Sequence, residues 1–271
     1  MDILAVINQK GGVGKTSTTV NLGGALAEMG YRVLLVDLDP QGHLTEACGV
    51  AEATPPATLA KTLLMDADKV AAEDVERIIA PWRERIDVIP TNIDMFLLER
   101  ELYRMRGVEW RLERVLKVVA SLDRFDVCLI DCQPSLGVLT DNALVAAGQG
   151  LVPVQSEDSA LRALRLLLEQ IATLESELRV QVDLVGMVVN LFDKRRGQIV
   201  TSTLETLKTM PLPILAVIKD LATVREAWRE GLPVVEYAPD SASAASFREL
   251  ARQLTSGTDS AEGGAAAPVT A

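Results

Sequence analysis

Residues 3–16 read ILAVINQKGGVGKT. The run Ile3–Asn8 is short and almost wholly apolar, as expected of a central strand covered on both faces. Glycines 11, 12 and 14 follow at once. Thr16–Met29 then sets Val20, Leu22, Leu26 and Met29 at helical spacing, with Gly30 as the stop signal. RVLLVD (Arg32–Asp37) is a second buried strand. Strand, glycine turn, helix and strand within the first 37 residues make a βαβ unit, so the two strands are expected to run parallel.

The pattern recurs. Strands are expected at Ile86–Pro90, Val127–Asp131, Leu151–Gln155, Val182–Asn190 and Ile214–Ile218. Helices are expected at Val108–Leu122, Asn142–Gly148, Ser159–Leu178, Thr201–Met210 and Ser243–Leu254. This alternation predicts an α/β fold, a doubly wound, mostly parallel sheet with helices on both faces. Ligands of such sheets sit beyond the carboxyl ends of the strands. Residues 51–85 hold Pro55–Pro56, several acids and several alanines, and read as an elaborated connection without a domain of its own. A single domain over 1–254 is expected. The tail 255–271 (TSGTDSAEGGAAAPVTA) is small, polar and aperiodic, and is expected to be disordered.

Composition narrows the function. The chain has 271 residues, 48% of them hydrophobic, enough for one large α/β core. A net charge of −11 argues against an all-over nucleic-acid coat, so any DNA contact requires a local basic patch. The three cysteines, Cys48, Cys128 and Cys132, form no CxxC pair. Neither a disulfide framework nor a zinc site is expected, and a reducing compartment fits. There is no signal-like segment and no apolar run of membrane-spanning length, so a soluble cytoplasmic protein is expected. His43 is the single histidine and reads as a polar loop residue.

KGGVGKT (Lys10–Thr16) has the chemistry of a phosphate cradle. Successive backbone N–H groups from Gly11 through Val13 to Ser17 turn toward phosphate oxygens, and the following helix adds its positive end. Gly11, Gly12 and Gly14 allow close backbone approach. Lys15 reaches the β- and γ-phosphates, and Thr16 places its hydroxyl on Mg²⁺. The generic GxxxxGK[ST] pattern requires glycine where this chain has Gln9. Lys10 distinguishes the variant found here. A cation at the loop mouth can stabilise charge on a transferring phosphoryl group. Mg-ATP is the expected ligand and ATP hydrolysis the expected reaction.

Two further acidic signals stand at strand ends. Asp131 closes the apolar run VCLID, where a carboxylate suits a cation such as Mg²⁺. Asp37 and Asp39, in DLDPQ, are two residues apart, so strand alternation predicts that both point into the crevice and that one orients the attacking water.

Together these segments resemble the ParA/MinD family of deviant Walker ATPases, and most closely the ParA (Soj-like) partition ATPases. NQKGGVGKTSTTVNLG, VLLVDLDPQG and LIDCQPSLGVLTDNAL carry the resemblance, with VPVQSEDSALRAL and EAWREGLPVVEYAPDSASAASFRELA in support, over roughly residues 1–254. The resemblance implies an ATP-sandwich homodimer. Lys10 matches the signature lysine that reaches the partner's nucleotide, and Gly11 the glycine that lets two subunits close face to face. Lys15 and Thr16 match the Walker A lysine and the Mg²⁺ ligand. Asp39 matches the switch aspartate that supports water attack, Asp131 the Walker B carboxylate, and Asn190 an asparagine used against adenine; Thr16, Asp39 and Asp131 are the expected metal residues. Gln133 replaces the family's usual proline, and Lys219-Asp220-Leu221 replaces a segment that often reads PRN.

The resemblance also implies non-specific DNA binding by the ATP dimer, hence association with the nucleoid, and a ParB-like or cargo-adaptor protein that stimulates hydrolysis. Arg195 matches a family arginine with a DNA role. Lys194, Arg195 and Arg196 are the densest basic run, with Arg225, Arg229 and Arg248 further candidates. Residues 190–230 carry seven basic and five acidic side chains, a net +2, against −13 for the remainder. The cargo is expected to be plasmid or chromosomal DNA. A protein assembly such as a microcompartment or chemoreceptor cluster is the alternative. A MinD-like division-site regulator is disfavoured because the tail lacks a basic amphipathic helix. A metabolic P-loop enzyme, such as an amide ligase or a reductase, would need an additional substrate pocket or cofactor ligands, for which the sequence gives no sign.

Overall fold

The computed structural model describes residues 1–66, 69–157, 159–193, 195, 197–219 and 222–256. The first half runs β1 (Asp2–Val6), α1 (Lys15–Glu28), β2 (Val33–Asp37), α2 (His43–Cys48), α3 (Leu59–Leu64), α4 (Ala72–Glu76), β3 (Ala80–Arg83), β4 (Ile86–Ile89), α5 (Asp94–Leu102), α6 (Arg111–Ser121) and β5 (Val127–Asp131). The second runs α7 (Val138–Ala147), β6 (Gln149–Gln155), α8 (Ser159–Leu178), β7 (Asp183–Phe192), α9 (Gln198–Lys208), β8 (Ile214–Lys219), α10 (Ala222–Arg229), α11 (Val234–Tyr237) and α12 (Ala242–Ser256).

The strands form one eight-stranded sheet in the order β3-β4-β2-β5-β1-β6-β7-β8. Pairing is parallel throughout except between β3 and β4. The expected doubly wound α/β architecture is therefore observed. Alternation along the strands feeds two cores. Ala5, Leu34, Val36, Cys128 and Ile130 face one layer with α3, α5, α6, α7, α8 and α9. Leu4, Val33, Leu35 and Leu129 face the other, with α1, α11 and α12. Strands buried on both faces have no solvated side to encode, which is why they read as continuous apolar runs.

Helix α6 shows the complementary logic. Leu112, Val115, Leu116 and Val119 are buried at i, i+3, i+4 and i+7, and burying each contributes roughly 1.5–3 kcal/mol. Its first turn is tied down by Asn142, whose Oδ1 accepts the Leu112 N–H at 3.0 Å. The expected helix over Val108–Leu122 is thus split: a 3₁₀ turn at Val108–Trp110 precedes α6.

Helix α1 packs against α11 at a glycine. A Cβ on Gly24 would lie 2.3 Å from Pro233 Cβ, closer than two carbons can approach. The same junction is fixed by the Asn21 Oδ1, which accepts the Val234 N–H at 2.7 Å. Gly24→Ala is therefore expected to destabilise the fold by about 1–3 kcal/mol in urea unfolding, the cost of overpacking. An unchanged midpoint would contradict this packing.

Residues 51–85 carry α3, α4 and the antiparallel edge strand β3. Two expected helix boundaries need correction. Helix α7 begins at Val138, not Asn142, because Gly137 stands at its N-cap. Helix α12 extends through Thr255 and Ser256, which shortens the expected tail. The rest of that tail, residues 257–271, lies outside the described residues, as do Lys194, Arg196, Asp220 and Leu221.

Candidate functional site

The carboxyl ends of β1, β2, β5, β6 and β7 converge on the segment 7–14. Strand β1 lies between β5 and β6, at the centre of the sheet. Its chain leaves into a loop held from below. Asn8 Nδ2 donates to the Pro153 carbonyl at 2.7 Å, while Asn8 Oδ1 accepts the Lys10 N–H at 2.9 Å. Gln155 Nε2 donates to the Gly12 carbonyl at 2.7 Å. Asn190 Nδ2 donates to the Val13 carbonyl (3.0 Å) and the Thr18 hydroxyl (2.9 Å). These bonds turn the loop's carbonyls toward the protein body, which leaves its N–H groups for a ligand.

Gly14 joins the loop to α1. Its φ of 87° lies in the left-handed region, and a Cβ there would meet Asn190 Nδ2 at 2.8 Å. Any side chain would both strain the backbone and displace the bracing amide. Helix α1 then opens at Lys15 with no acidic residue in its first turn, so its positive end is uncompensated. Lys15 is 7% exposed, and its Nζ donates to the Lys10 carbonyl at 3.1 Å. Burial pulls its ammonium below the ordinary lysine value, opposed chiefly by the Asp131 carboxylate.

Asp131 ends β5 opposite this helix start and is fully buried. Its Oδ1 lies 3.4 Å from Thr19 Oγ1, whose proton has a nearer acceptor in the Lys15 carbonyl, the Thr16 hydroxyl helps hold its charged form, and its Oδ2 has no hydrogen-bond partner. A buried carboxylate oxygen without a donor is costly unless a cation meets it. Burial first, and then the neighbouring Asp37, push this carboxyl up to about 8. The residues present therefore fit a metal ion held between the Thr16 hydroxyl and Asp131.

That shift has a consequence for stability. The folded chain binds the Asp131 proton more tightly than the unfolded chain does. Ionisation on raising pH toward about 8 therefore costs stability in the metal-free protein. Asp37, raised to about 6 by burial, has the same sign over a lower interval. Asp131→Asn is expected to raise the urea midpoint of the nucleotide-free chain near pH 8 and to flatten its fall above pH 6. A variant with the parent's pH profile would contradict the assignment.

The two aspartates at the end of β2 make different contacts. The strand ends at Asp37, so the alternation used to orient both side chains does not extend to Asp39. Asp37 is fully buried and bonded to Thr45. Asp39 sits in the following turn, where its Oδ1 accepts the Gln41 N–H at 2.9 Å and its Oδ2 lies 3.8 Å from His43 Nδ1. His43 is the first residue of α2. Among the described residues no group of three or more His, Cys, Asp or Glu side chains is placed to hold a metal on its own.

Lys10 does not reach over its own phosphate loop. Its Nζ donates to Glu157 Oε2 at 2.5 Å and to Ser159 Oγ at 2.9 Å. Gly11 stands against the loop after β5, with Pro134 Cβ 3.9 Å from where its own Cβ would be. On the other side a cavity of about 370 Å³ is lined by Gly14, Ser17, Asn190, Ile218, Arg225 and Trp228. It is large enough for a purine base, with an indole and an arginine in its wall.

The family described as an AAA domain (AAA_31) matches residues 1–184. The sporulation initiation inhibitor protein Soj of Bacillus subtilis is 37% identical over 253 residues, covering 93% of this chain and 97% of Soj. The chain belongs to the ParA/MinD family. The chromosome partitioning protein ParA of Caulobacter vibrioides is 35% identical over 255 residues, covering 94% of each chain. Cobyrinic acid a,c-diamide synthase of Mycobacterium smegmatis, in a crystal structure with bound ATP analog and magnesium, superposes with a TM-score of 0.78 at 35% identity, covering 96% of this chain and 97% of that one.

In this ParA/MinD-family chain, Gly11 through Ser17, Lys15 and Asp131 come together at one strand-end crevice, with Asp39 in the adjoining turn. Asn190 lines the base-sized cavity, but its amide braces the loop. Arg225 lines the same cavity and is exposed. Arg195 is exposed, and its guanidinium is bidentate on Asp193. Sequence reasoning missed Glu157, the acceptor for Lys10, and Trp228. It also missed Glu99, whose Oε1 accepts Gln133 Nε2 at 2.8 Å. The Glu157 signal was present as an acid just past β6, at the same sheet edge as Lys10. Gln133, the departure from the family's usual proline, gains a partner on α5 through its side-chain amide.

Proposed function

We propose that this chain is a ParA-type ATPase that binds Mg-ATP at the Gly11–Thr16 loop and cycles between monomer and ATP-sandwich dimer. The observation that supports it most is the orphaned, fully buried Asp131 Oδ2 facing a helix start that offers Thr16 and Lys15. A bound Mg²⁺ neutralises phosphate charge and polarises the bond to be broken. The chain's own groups do the rest. Loop N–H groups and Lys15 hold the phosphates, while Asp39 orients the attacking water. In the dimer Lys10 exchanges Glu157 and Ser159 for the partner's nucleotide, so that complete charge stabilisation needs two copies.

In this reading the ATP dimer holds DNA weakly through the region around Arg195, associates with the nucleoid in the cytoplasm, and lets go when a ParB-like or adaptor protein stimulates hydrolysis. Chromosome or plasmid DNA is the proposed cargo, in line with the names of the Soj and ParA relatives. A protein assembly moved over the nucleoid would use the same chemistry. Among the described residues no helix is long and apolar enough to cross a membrane.

The Mycobacterium smegmatis relative's name raises amide synthesis as a second reading. Releasing ammonia from glutamine takes a reactive thiolate. Cys48, Cys128 and Cys132 are all buried, and burial pushes each thiol up, away from that role.

The deciding experiment is DNA binding with Mg-ATP, with Mg-ADP and without nucleotide, over a salt series. ATP-dependent, salt-sensitive retention is expected. Arg195→Glu is expected to weaken it about tenfold, because charge reversal is applied twice in a dimer. Equal retention with ADP, or none at low salt, would overturn the switch.

A further inference from the structure

Asp37 is buried, charged when ionised, and not used by the mechanism above. We propose that Thr45 is a positioning residue for hydrolysis: it holds the Asp37 carboxylate and through it fixes the turn that carries Asp39. This inference rests on the ATPase reading.

The bonds form a chain. Thr45 donates to Asp37 Oδ2 twice, from Oγ1 at 2.6 Å and from its backbone N–H at 2.8 Å. Asp37 Oδ1 accepts the Asp39 N–H at 3.2 Å. Having given its only proton, the Thr45 hydroxyl accepts the Thr91 N–H at 3.0 Å. Thr91 follows the end of β4 and Asp39 follows the end of β2, and these strands are parallel neighbours. The chain therefore clamps the Asp39 turn to the adjoining strand.

The turn itself has little slack. Gly42 N–H donates to the Asp39 carbonyl at 2.9 Å, and Thr91 Cγ2 lies 3.3 Å from where a Cβ on Gly42 would be. Both Asp37 oxygens already accept donors. The water-orienting role thus falls to Asp39, and Asp37 acts through its neighbours. Thr45 is 3% exposed, and bonds in such a dry setting hold geometry better than exposed ones do. Only a hydroxyl at position 45 can donate to Asp37 and accept from Thr91 together. Valine has the shape without either function.

The test compares turnover with nucleotide affinity. Thr45→Val is expected to lower kcat about tenfold or more, the scale set by small misplacements of a catalytic group, while Mg-ADP affinity stays within about threefold. Thr45→Ser, which keeps the hydroxyl, is expected to restore kcat. Thr62→Val is the control: its hydroxyl bonds only the Thr58 carbonyl at the N-cap of α3, and its kcat is expected to match the parent.

Unchanged kcat in Thr45→Val beside an inactive Asp39→Ala would overturn this inference and leave the ATPase reading intact. Normal turnover in Asp39→Ala would instead overturn the reading. Equal loss in Thr62→Val, or no rescue by serine, would reduce Thr45 to a structural role and overturn the proposal. If the valine variant does not fold, hydrogen exchange on the parent chain decides. The Asp39, Thr45 and Thr91 amides are expected to open as one unit, and independent exchange would overturn the clamp.

Discussion

Lys15→Ala is expected to abolish measurable Mg-ATP binding, lowering affinity by about 100-fold or more. The side chain starts α1, is almost fully buried, and rests on the Lys10 carbonyl. From there a charged amine can meet two phosphate groups. A charge-assisted hydrogen bond contributes roughly 1.5–3 kcal/mol, so losing its contacts costs about 3 kcal/mol or more. The fold itself is expected to survive. Burial already pulls the ammonium away from its preferred charged state, so its removal relieves a desolvation cost. Isothermal titration calorimetry on the two proteins checks both halves. A folded Lys15→Ala chain with near-parental affinity would contradict the role of the loop.

Asp39→Ala is expected to separate binding from chemistry. Hydrolysis is expected to fall by about 100-fold to 1,000-fold, the usual contribution of a group that orients or deprotonates the attacking water. ATP affinity is expected to change less than about threefold, because the phosphates are held by the loop and Lys15. Alanine also removes the bond to the Gln41 N–H, so Asp39→Asn is the cleaner companion. Asparagine keeps an acceptor for that N–H but cannot take a proton. Single-turnover assays on both variants give the answer. Hydrolysis near the parental rate in either one would remove Asp39 from the mechanism.

The glycine loop at the end of β1 was legible because its geometry leaves few options: the left-handed turn at Gly14 needs glycine, and α1 starts directly after it at Lys15. The central strands were legible because burial on both faces writes itself as VLLVD and VCLID. Asp131 stood out as a carboxylate on an otherwise apolar strand.

What was not legible depended on partners distant in sequence or on short, weakly patterned segments. Lys10 and Glu157 are 147 positions apart, and neither neighbourhood names the other. Strand β3 has four residues including Pro81, and a two-sided burial pattern cannot emerge from an edge that short. Helix α10 is polar apart from Ala222, Val224, Ala227 and Trp228, so its place in the cavity wall follows from tertiary packing. Asp37 and Asp39 were read by a rule of strand alternation that lapses once the strand has ended. Thr45 gave no signal because the bond it accepts from the Thr91 N–H exists only after β2 and β4 pair.

The proposed cycle depends most on the loop and Asp131 together gripping a metal-bound triphosphate. A crystal structure with saturating magnesium and a non-hydrolysable ATP analogue tests it directly. Phosphate oxygens are expected within hydrogen-bond distance of the backbone amides of residues 12–16. The metal is expected on Thr16 Oγ1, facing the Asp131 carboxylate. An analogue bound elsewhere, or a loop whose amides stay turned away from an accessible ligand, would contradict it.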